Sequence, residues 1–281
     1  MARAFIFLFL VALAIGVLAT RLRPSIGGFG AVNRPARVYV PMSAEQVRAA
    51  LLAELQPVEL LNCRLERFGE PHDGGYLMCG NLLESVKAGY SYGISGYDQW
   101  GCDVARRLNV RVHQYDCFNL EKPVCADGVT VFHAECIAPS RSVDDGGRVF
   151  DTFERQFASN GDGAKRVVVK IDVEGAEWRT FLDTPSQVLD RIDQLVVEFH
   201  GVDREHYLAA VRRLKEFFFV GNLHINNYAC QPGLDPFPAW AYEVLFVSRR
   251  IGLAGGPRSP APHPLDASNK PTAADCQPID R

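Results

Sequence analysis

Three carboxylates follow the most strand-like segment of the chain. Residues 167–171 are mostly β-branched, as in a strand covered on both faces of a sheet, and Asp172, Glu174 and Glu177 come directly after them. Such crowding raises a carboxylate pKa or attracts a cation or a donor-rich ligand. Glu174 and Glu177 also have a simpler explanation, because acidic residues stabilise the N-terminus of a following helix. Asp172 ends a strand, where α/β proteins bind ligands, and we therefore favour a functional site.

A glycine-containing turn and an aspartate follow two earlier strand-like segments. The turn is Tyr92-Gly93-Ile94-Ser95-Gly96-Tyr97-Asp98, whose glycines allow the backbone to approach a nucleotide-like ligand. It lacks the G-x-G-x-x-G spacing, so an ordinary strand-to-helix turn explains it nearly as well. Asp116 stands where Rossmann-like folds place the carboxylate that binds ribose hydroxyls. Asp also caps turns at strand ends, and the two explanations have equal weight.

A third polar group follows the next strand-like segment. Glu198 and His200 end it, and His224, Asn226 and Asn227 come later. Histidines at strand ends are candidate general bases, because their pKa lies near neutral pH. Any one of them alone is more often a hydrogen-bonded loop residue.

The elements that must position these residues alternate between short apolar segments and helical ones, which is typical of a parallel sheet with crossover helices. Strands are predicted at residues 90–94, 110–115, 129–137, 167–171 and 194–199, with a closing pair at 221–225 and 242–248. Helices are predicted at 98–108, 150–157, 177–182 and 204–219, and a leading helix follows the capping box Ser43-Ala-Glu-Gln46. We therefore predict an α/β fold: a Rossmann-like doubly wound sheet, mostly parallel, with an antiparallel C-terminal edge hairpin.

The chain of 281 residues is long enough for one full core. Residues 1–23 contain an uncharged apolar run with flanking arginines, which predicts a signal anchor or a cleaved signal peptide. The protein would then be single-pass in the membrane, or in the secretory pathway or secreted if the segment is cleaved. Residues 24–42 are predicted to be a linker, 43–250 the folded domain, and 251–281 a disordered tail rich in Pro, Gly, Ala and Ser.

The net charge argues against a nucleic-acid partner, and the cysteine spacing argues against a metal site. The net charge is -3 and no basic stripe is visible, so nucleic acid is not an expected partner. The eight cysteines show no CxxC pair and no zinc-type spacing, so we predict no metal site. Cys63 with Cys79, or Cys117 with Cys125, are conceivable disulfides, but free buried thiols are the more common alternative.

Three segments together resemble the FkbM-like S-adenosylmethionine-dependent methyltransferases, including their methyltransferase-like animal relatives. They are Lys170-Ile-Asp-Val-Glu-Gly-Ala-Glu-Trp178, Phe150-Asp-Thr-Phe153 and Asp73-Gly-Gly-Tyr76, and the similarity spans residues 60–248. Asn226-Asn227 and Glu243 also look like the C-terminal pattern of this family. The resemblance implies a methyltransferase domain with S-adenosylmethionine as cofactor.

The resemblance also implies site roles. The cofactor's methionine part is expected at the glycine turn, which contributes Tyr92, Gly93, Ser95, Gly96 and Asp98. Asp116 is expected to hold the ribose, and Glu135 or Cys136 to lie near the adenine. Asp172 and Glu174 are then expected to face the reactive methyl group. A base is needed only for a hydroxyl acceptor, and by position Asp172 and His200 are the first candidates, so the predicted catalytic residues are Asp172, Glu174 and His200.

The predicted activity is O-methylation of a glycan, lipid or small-molecule hydroxyl. One alternative is a membrane-anchored, metal-dependent glycosyltransferase in which Asp172-Val-Glu174 imitates a D-x-D metal site. A second is a binding module without turnover, because Tyr92 stands where many methyltransferases end their first strand in an acid. A manganese requirement would favour the glycosyltransferase, and cofactor binding without methylation would favour the binding module.

Overall fold

The computed structural model describes residues 41–258 and 263–276, which belong to one compact unit that begins at Pro41. The predicted targeting segment, residues 1–23, lies outside the described residues, as does all but the end of the predicted linker. Among the residues that are described, no helix is both long and apolar enough to cross a membrane.

The described residues contain six α-helices and fourteen strands. The helices are α1 (Ala44–Glu54), α2 (Gln99–Leu108), α3 (Phe153–Ser159), α4 (Glu177–Asp183), α5 (Ser186–Leu189) and α6 (Glu205–Phe217), with a 3-10 turn at Gly80–Leu82. The first seven strands are β1 (Val58–Leu60), β2 (Leu65–Gly69), β3 (Gly75–Cys79), β4 (Ala88–Tyr92), β5 (Arg111–Tyr115), β6 (Thr130–His133) and β7 (Glu135–Ile137). The others are β8 (Ser142–Val143), β9 (Val149–Asp151), β10 (Val167–Ile171), β11 (Ile192–His200), β12 (Phe218–Ile225), β13 (Ala241–Ser248) and β14 (Ala254–Pro257).

Seven strands form the central sheet in the order β12-β13-β11-β10-β4-β5-β6. The pairs from β11 to β6 are parallel, whereas β13 is antiparallel to both of its neighbours. This confirms the predicted Rossmann-like sheet with an antiparallel C-terminal edge pair. From β4 the chain proceeds outward through β5 and β6, and then returns to the other side through β10 and β11. The switch point of the sheet, where α/β folds bind ligands, therefore lies between β4 and β10.

The central strands are buried on both faces. All residues of β4, β10 and β11 are buried. Successive residues of β10 point to opposite faces, so Val167, Val169 and Ile171 pack in one apolar cluster and Val168 in the other. Residues of α1, α3, α4 and α6 contribute to the first cluster, and residues of α2 and the β2–β3 hairpin to the second. The sheet is thus covered on both sides, and its carboxyl-terminal edge is where loops meet.

Two predicted elements differ from the structure. The strand predicted at residues 129–137 is divided, because only β6 belongs to the central sheet, while β7 pairs with β9 in a separate three-stranded sheet. The helix predicted from residue 150 begins instead at Phe153. Phe150 extends the small sheet by pairing with Cys136 and Ser142. Tertiary pairing outweighs local helical periodicity there.

Three disulfides connect residues that are 16 to 46 positions apart in the sequence. Cys63–Cys79 is one of the two bridges considered from the sequence. Cys117 pairs with Cys136 rather than Cys125, because the end of β5 lies beside the segment that follows β6. Cys230–Cys276 is the third bridge, and Cys102 and Cys125 are free thiols.

The C-terminal residues 251–258 and 263–276, within the segment predicted to be disordered, have defined contacts. β14 pairs antiparallel with β1, and Asn269 is buried with hydrogen bonds to Asp73 and Glu243. The disulfide at Cys276 fixes the far end of this segment. Composition alone predicted disorder because these ordering contacts are to residues far away in the chain.

Candidate functional site

The glycine turn after β4 and the carboxylate motif after β10 touch at the switch point. Gly93 has φ +72°, and a Cβ there would lie 1.6 Å from the carbonyl oxygen of Asp172. The Asp172 N–H donates to the carbonyl oxygen of Tyr92 at 3.2 Å. The two segments that the sequence singled out therefore form one structure, and only glycine fits at position 93.

The side chain of Lys170 contacts both of these segments. Its side chain is 7% exposed, and Nζ lies 3.0 Å from the carbonyl oxygen of Gly93 and 3.4 Å from Asp172 Oδ2. The ammonium group therefore holds the turn and partly balances the charge of Asp172. Sequence reasoning gave Lys170 no role. The available signal was a lysine inside an otherwise apolar strand, which needs a partner when buried.

His200 stands at the centre of four carboxylates. Its Nδ1 lies 2.9 Å from Glu177 Oε1, and because a carboxylate only accepts, Nδ1 carries the proton. Its Nε2 lies 3.8 Å from Asp172 Oδ1, 3.5 Å from Glu174 Oε2 and 3.7 Å from Glu198 Oε1. The three predicted catalytic residues, Asp172, Glu174 and His200, are thus brought together.

These carboxylates change the chemistry of His200. Burial lowers the pKa of His200, but the hydrogen bond to Glu177 and the charges of Glu198 and Asp172 outweigh it and raise that pKa to about 9. Without a ligand, His200 is therefore protonated at neutral pH and acts as a donor rather than a base. Asp172, which is partly exposed, is the better placed acceptor of a proton.

A pocket of about 330 Å³ opens beside this group. Its lining is mainly polar and includes Asp73, Tyr76, Asp172, Glu174, Glu198, His200, Asn226 and Trp240. Burial and the charge of Asp172 raise the pKa of Glu198, whose Oε1 accepts a hydrogen bond from Asn226 at 2.9 Å. Asp73 was part of a quoted motif but was not predicted as a site residue. Only the folding of the segment before β3 towards β11 places it here.

Asp116 makes the turn-capping contacts that were the alternative to ribose binding. Its Oδ1 accepts from the N–H groups of Phe118 and Asn119 at 2.8 and 2.9 Å, and its Oδ2 accepts from the N–H of Ser95 at 2.8 Å. The last contact joins Asp116 to the glycine turn, so two predicted cofactor residues are adjacent. Since each carboxylate oxygen accepts two hydrogen bonds, Oδ2 retains one position.

Asp98 and Tyr92 have mainly structural surroundings. Asp98 is the N-cap of α2: its Oδ1 accepts from the N–H of Gly101 and its Oδ2 from Gln114, both at 2.8 Å. Burial raises the pKa of Asp98. Tyr92 is fully buried, its ring stacks on Tyr115, and its hydroxyl has no hydrogen-bond partner among the described residues. Only the backbone of Tyr92 reaches the turn.

The remaining predicted cofactor residues lie on the β5 side of the switch point. Gly96 has φ +83° and lies against Asn119 and Glu121 in the loop after Asp116. Glu135 is partly buried on β7, in the small sheet rather than at the end of a central strand. Glu135 therefore belongs to a different element from the one predicted, and its contact with the adenine stays a prediction.

Within residues 41–258 and 263–276, two groups of side chains could hold a metal ion. Asp172, Glu174 and His200 form one, and Asp73, Glu198 and Glu243 the other, with ligand atoms in each group within 4.8 Å of one another. The prediction of no metal site considered spacing along the chain. Asp172 and Glu174 are neighbours in the sequence, but the other members of the two groups come from separate segments, so sequence spacing shows neither group as a whole.

No family model matches the chain, and no curated protein matches it by sequence. Among solved structures it is similar to a putative S-adenosylmethionine-dependent methyltransferase from Listeria monocytogenes, with 8% identity, 60% of this chain and 96% of that chain covered, and a TM-score of 0.31. It is also similar to a chain of a fibrillarin/Nop5p complex, with 9% identity, 69% and 98% coverage, and a TM-score of 0.32. Similarity at this level gives no information about the function of this chain.

Proposed function

We propose that the protein is an S-adenosylmethionine-dependent methyltransferase that binds its cofactor at the switch point of the sheet. The observation that carries this proposal is the contact between the Gly93 turn and Asp172. A glycine whose Cβ position is filled by a backbone carbonyl lies at the crevice where α/β folds bind nucleotide-like ligands. A ribose-type acid, Asp116, is bonded to the same turn at Ser95.

The cofactor half of the site lies on the β4–β5 side. Ser95 and Gly96 belong to the turn, Asp116 accepts a hydrogen bond from Ser95, and Glu135 lies on β7. We assign the methionine part to the turn, the ribose to the open position of Asp116 Oδ2, and the adenine to the neighbourhood of Glu135. S-adenosylmethionine, when bound, supplies an electrophilic methyl group on a positively charged sulfur.

The acceptor half is the pocket beside His200. Its carboxylates and Asn226 provide donors and acceptors for hydroxyl groups, which suits a glycan, a lipid head group or a polar small molecule. Asp172 accepts the proton of the acceptor hydroxyl, and protonated His200 orients the oxygen by donating from Nε2. The protein contributes mainly orientation and exclusion of water.

A metal-dependent glycosyltransferase is the second candidate, because Asp172 and Glu174 lie together in a group that could hold a metal. Titration with sugar nucleotides in the presence of Mn²⁺ separates the two functions. Saturable binding of a sugar nucleotide without binding of S-adenosylmethionine would favour this candidate and contradict the first.

The test of the first candidate is calorimetric titration of the full chain with S-adenosylmethionine. We expect one site per chain, with binding at least tenfold weaker in Glu135→Gln and in Asp116→Asn, and unchanged in the exposed control Glu84→Gln. Glu135→Gln is the more diagnostic variant, because Asp116→Asn also disturbs the bonds within the turn. Absence of binding by the parent protein would refute the proposal.

Turnover requires a separate measurement. Incubation with methyl-labelled cofactor and a membrane or glycan extract should label an acceptor, and Asp172→Asn should remove the label while cofactor binding persists. Cofactor binding without any labelled acceptor would favour the binding module.

We also propose that residues 1–23 direct the protein to the membrane or the secretory pathway. The three disulfides support this, since such bridges persist mainly in oxidising compartments. Mass spectrometry of the mature N-terminus separates a retained anchor from a cleaved signal. Free thiols at the six bridged cysteines of the purified native protein, rather than at Cys102 and Cys125 alone, would contradict the proposal.

A further inference from the structure

We propose that Asp172, Glu174 and His200 bind one divalent cation of the Mn²⁺ or Zn²⁺ type at the base of the pocket, with one coordination position open to that pocket. The ligand atoms of these three residues lie within 4.8 Å of one another, and they come from the exits of two adjacent strands, β10 and β11. This inference does not depend on S-adenosylmethionine binding. It describes the metal-loaded protein, in which Nε2 carries no proton, so the donor role given above to Nε2 of His200 and the proton-accepting role of Asp172 apply only to the metal-free protein.

His200 directs one nitrogen, Nε2, towards the proposed ion. Its side chain is 9% exposed, Nδ1 is bonded to Glu177, and Nε2 makes no hydrogen bond to any of the residues that the structure describes. Nε2 instead points into three carboxylates at 3.5–3.8 Å. An imidazole whose other nitrogen donates to a carboxylate is the usual form of a histidine metal ligand, because the carboxylate fixes the tautomer and the ring orientation.

The distances between the ligand atoms also fit a metal ion. Around a tetrahedral ion with bonds of about 2.1 Å, neighbouring ligand atoms are separated by roughly 3.4 Å. The distances from Nε2 to Asp172 Oδ1 and Glu174 Oε2 are 3.8 and 3.5 Å, only slightly longer. The Glu174 side chain is 82% exposed and can rotate towards the ion. Glu198 Oε1, at 3.7 Å from Nε2, is placed to accept a hydrogen bond from a metal-bound water.

The negative charge of the surrounding side chains also favours a cation. The carboxylates of Asp172, Glu174, Glu177 and Glu198 face one histidine, and Lys170 contacts only the Asp172 member of this group. Repulsion among them is costly in a partly buried site, and a divalent ion offsets it. A mixed set of imidazole and carboxylate ligands suits Mn²⁺ or Zn²⁺ better than Mg²⁺ or Ca²⁺, which prefer oxygen ligands alone.

The test uses the full chain after treatment with chelator, without cofactor or acceptor. Calorimetry with Mn²⁺ alone and Zn²⁺ alone should show one saturable site, with Zn²⁺ displacing Mn²⁺ and neither Mg²⁺ nor Ca²⁺ doing so at equal concentration. His200→Ala and Asp172→Asn should weaken binding at least tenfold, and Glu177→Gln should weaken it 10–100-fold by releasing the histidine. Glu243→Gln, which removes a nearby buried carboxylate outside the proposed ligand set, should change binding less than twofold.

A second readout does not depend on the folding of any variant. Electron spin echo envelope modulation of the Mn²⁺-loaded parent protein should show coupling to an imidazole ¹⁴N. Absence of saturable binding, absence of nitrogen coupling, or binding that survives His200→Ala but is lost in Glu243→Gln would each overturn the inference. S-adenosylmethionine binding is measured separately, so failure of the metal site and failure of the proposed function remain distinguishable.

Discussion

Replacement of Gly93 by alanine tests whether the glycine turn and the carboxylate motif are in obligatory contact. Gly93 has φ +72°, and its added Cβ would lie 1.6 Å from the carbonyl oxygen of Asp172. Gly161 is a matched control, because it has φ +74° and nothing within 4 Å of its Cβ position. Both variants place an alanine at a positive φ, and only Gly93→Ala adds a contact between the new Cβ and the Asp172 carbonyl oxygen.

The left-handed conformation costs an alanine about 1–2 kcal/mol, so Gly161→Ala should lower the free energy of unfolding by about that amount. In Gly93→Ala the exits of β4 and β10 must also separate. That movement breaks the hydrogen bonds from Asp172 N to Tyr92 O and from Lys170 Nζ to Gly93 O, each worth about 1 kcal/mol net. The expected loss for Gly93→Ala is therefore about 3–4 kcal/mol.

The assay is urea unfolding followed by far-ultraviolet circular dichroism, with the disulfides intact. Gly93→Ala should unfold at a clearly lower urea concentration than Gly161→Ala, with similar dependence on denaturant in both. Equal destabilisation of the two variants would refute the close contact at the switch point. It would also remove the observation on which the cofactor assignment rests.

Three further predictions concern the frame of the site. Burial and the charge of His133 lower the pKa of His113 from 6.5 to about 4, so the stabilisation from neutral His113 is complete above pH 6.5 and is lost as pH falls towards 4. The free energy of unfolding, measured with urea between pH 7.5 and 4.5, should therefore depend less on pH in His113→Gln than in the parent protein. An unchanged pH dependence would contradict this prediction. Paired Cys230→Ser and Cys276→Ser substitutions should expose the C-terminal segment to limited proteolysis and lower the free energy of unfolding by about 2–4 kcal/mol. If the double variant resists proteolysis as well as the parent protein does, the disulfide is not what orders the segment. Gln194→Ala should cost about 2–3 kcal/mol by thermal or urea unfolding, because the buried amide bonds both the N–H and the C=O of the last residue of β3, and a loss under 1 kcal/mol would mean that another group replaces these bonds.

The core of the sheet was predictable because its signals are local. The strand predicted at residues 167–171 has the observed bounds, and Ser43 caps α1 with the predicted capping box. The strands predicted at 90–94 and 194–199 are present with ends shifted by one or two residues. The prediction of one continuous strand at 129–137 was wrong, because β6 pairs in the central sheet and β7 in the three-stranded sheet. No short-range pattern contains that information.

The candidate site was predictable only in part for the same reason. Asp172, Glu174 and His200 were each suspected from their positions at strand ends, and the structure brings them together. The role of Glu177 was missed because its partner, His200, is remote in the chain. Asp98 was expected to contact the cofactor, but both of its oxygens bond the protein, since a helix N-cap and a ligand contact look alike in sequence.

The Lys170–Glu177 segment separates what the sequence determines from what only the tertiary structure decides. The amino-acid sequence by itself determined a buried central strand followed by crowded carboxylates, since apolar β-branched residues and charge spacing are properties of neighbouring residues. The tertiary structure alone decided that these carboxylates meet His200, that Lys170 clamps the Gly93 turn, and that Cys276 holds the C-terminal segment near the pocket. Those contacts depend on how parallel strands align their carboxyl ends, and this alignment is set by the packing of the whole sheet.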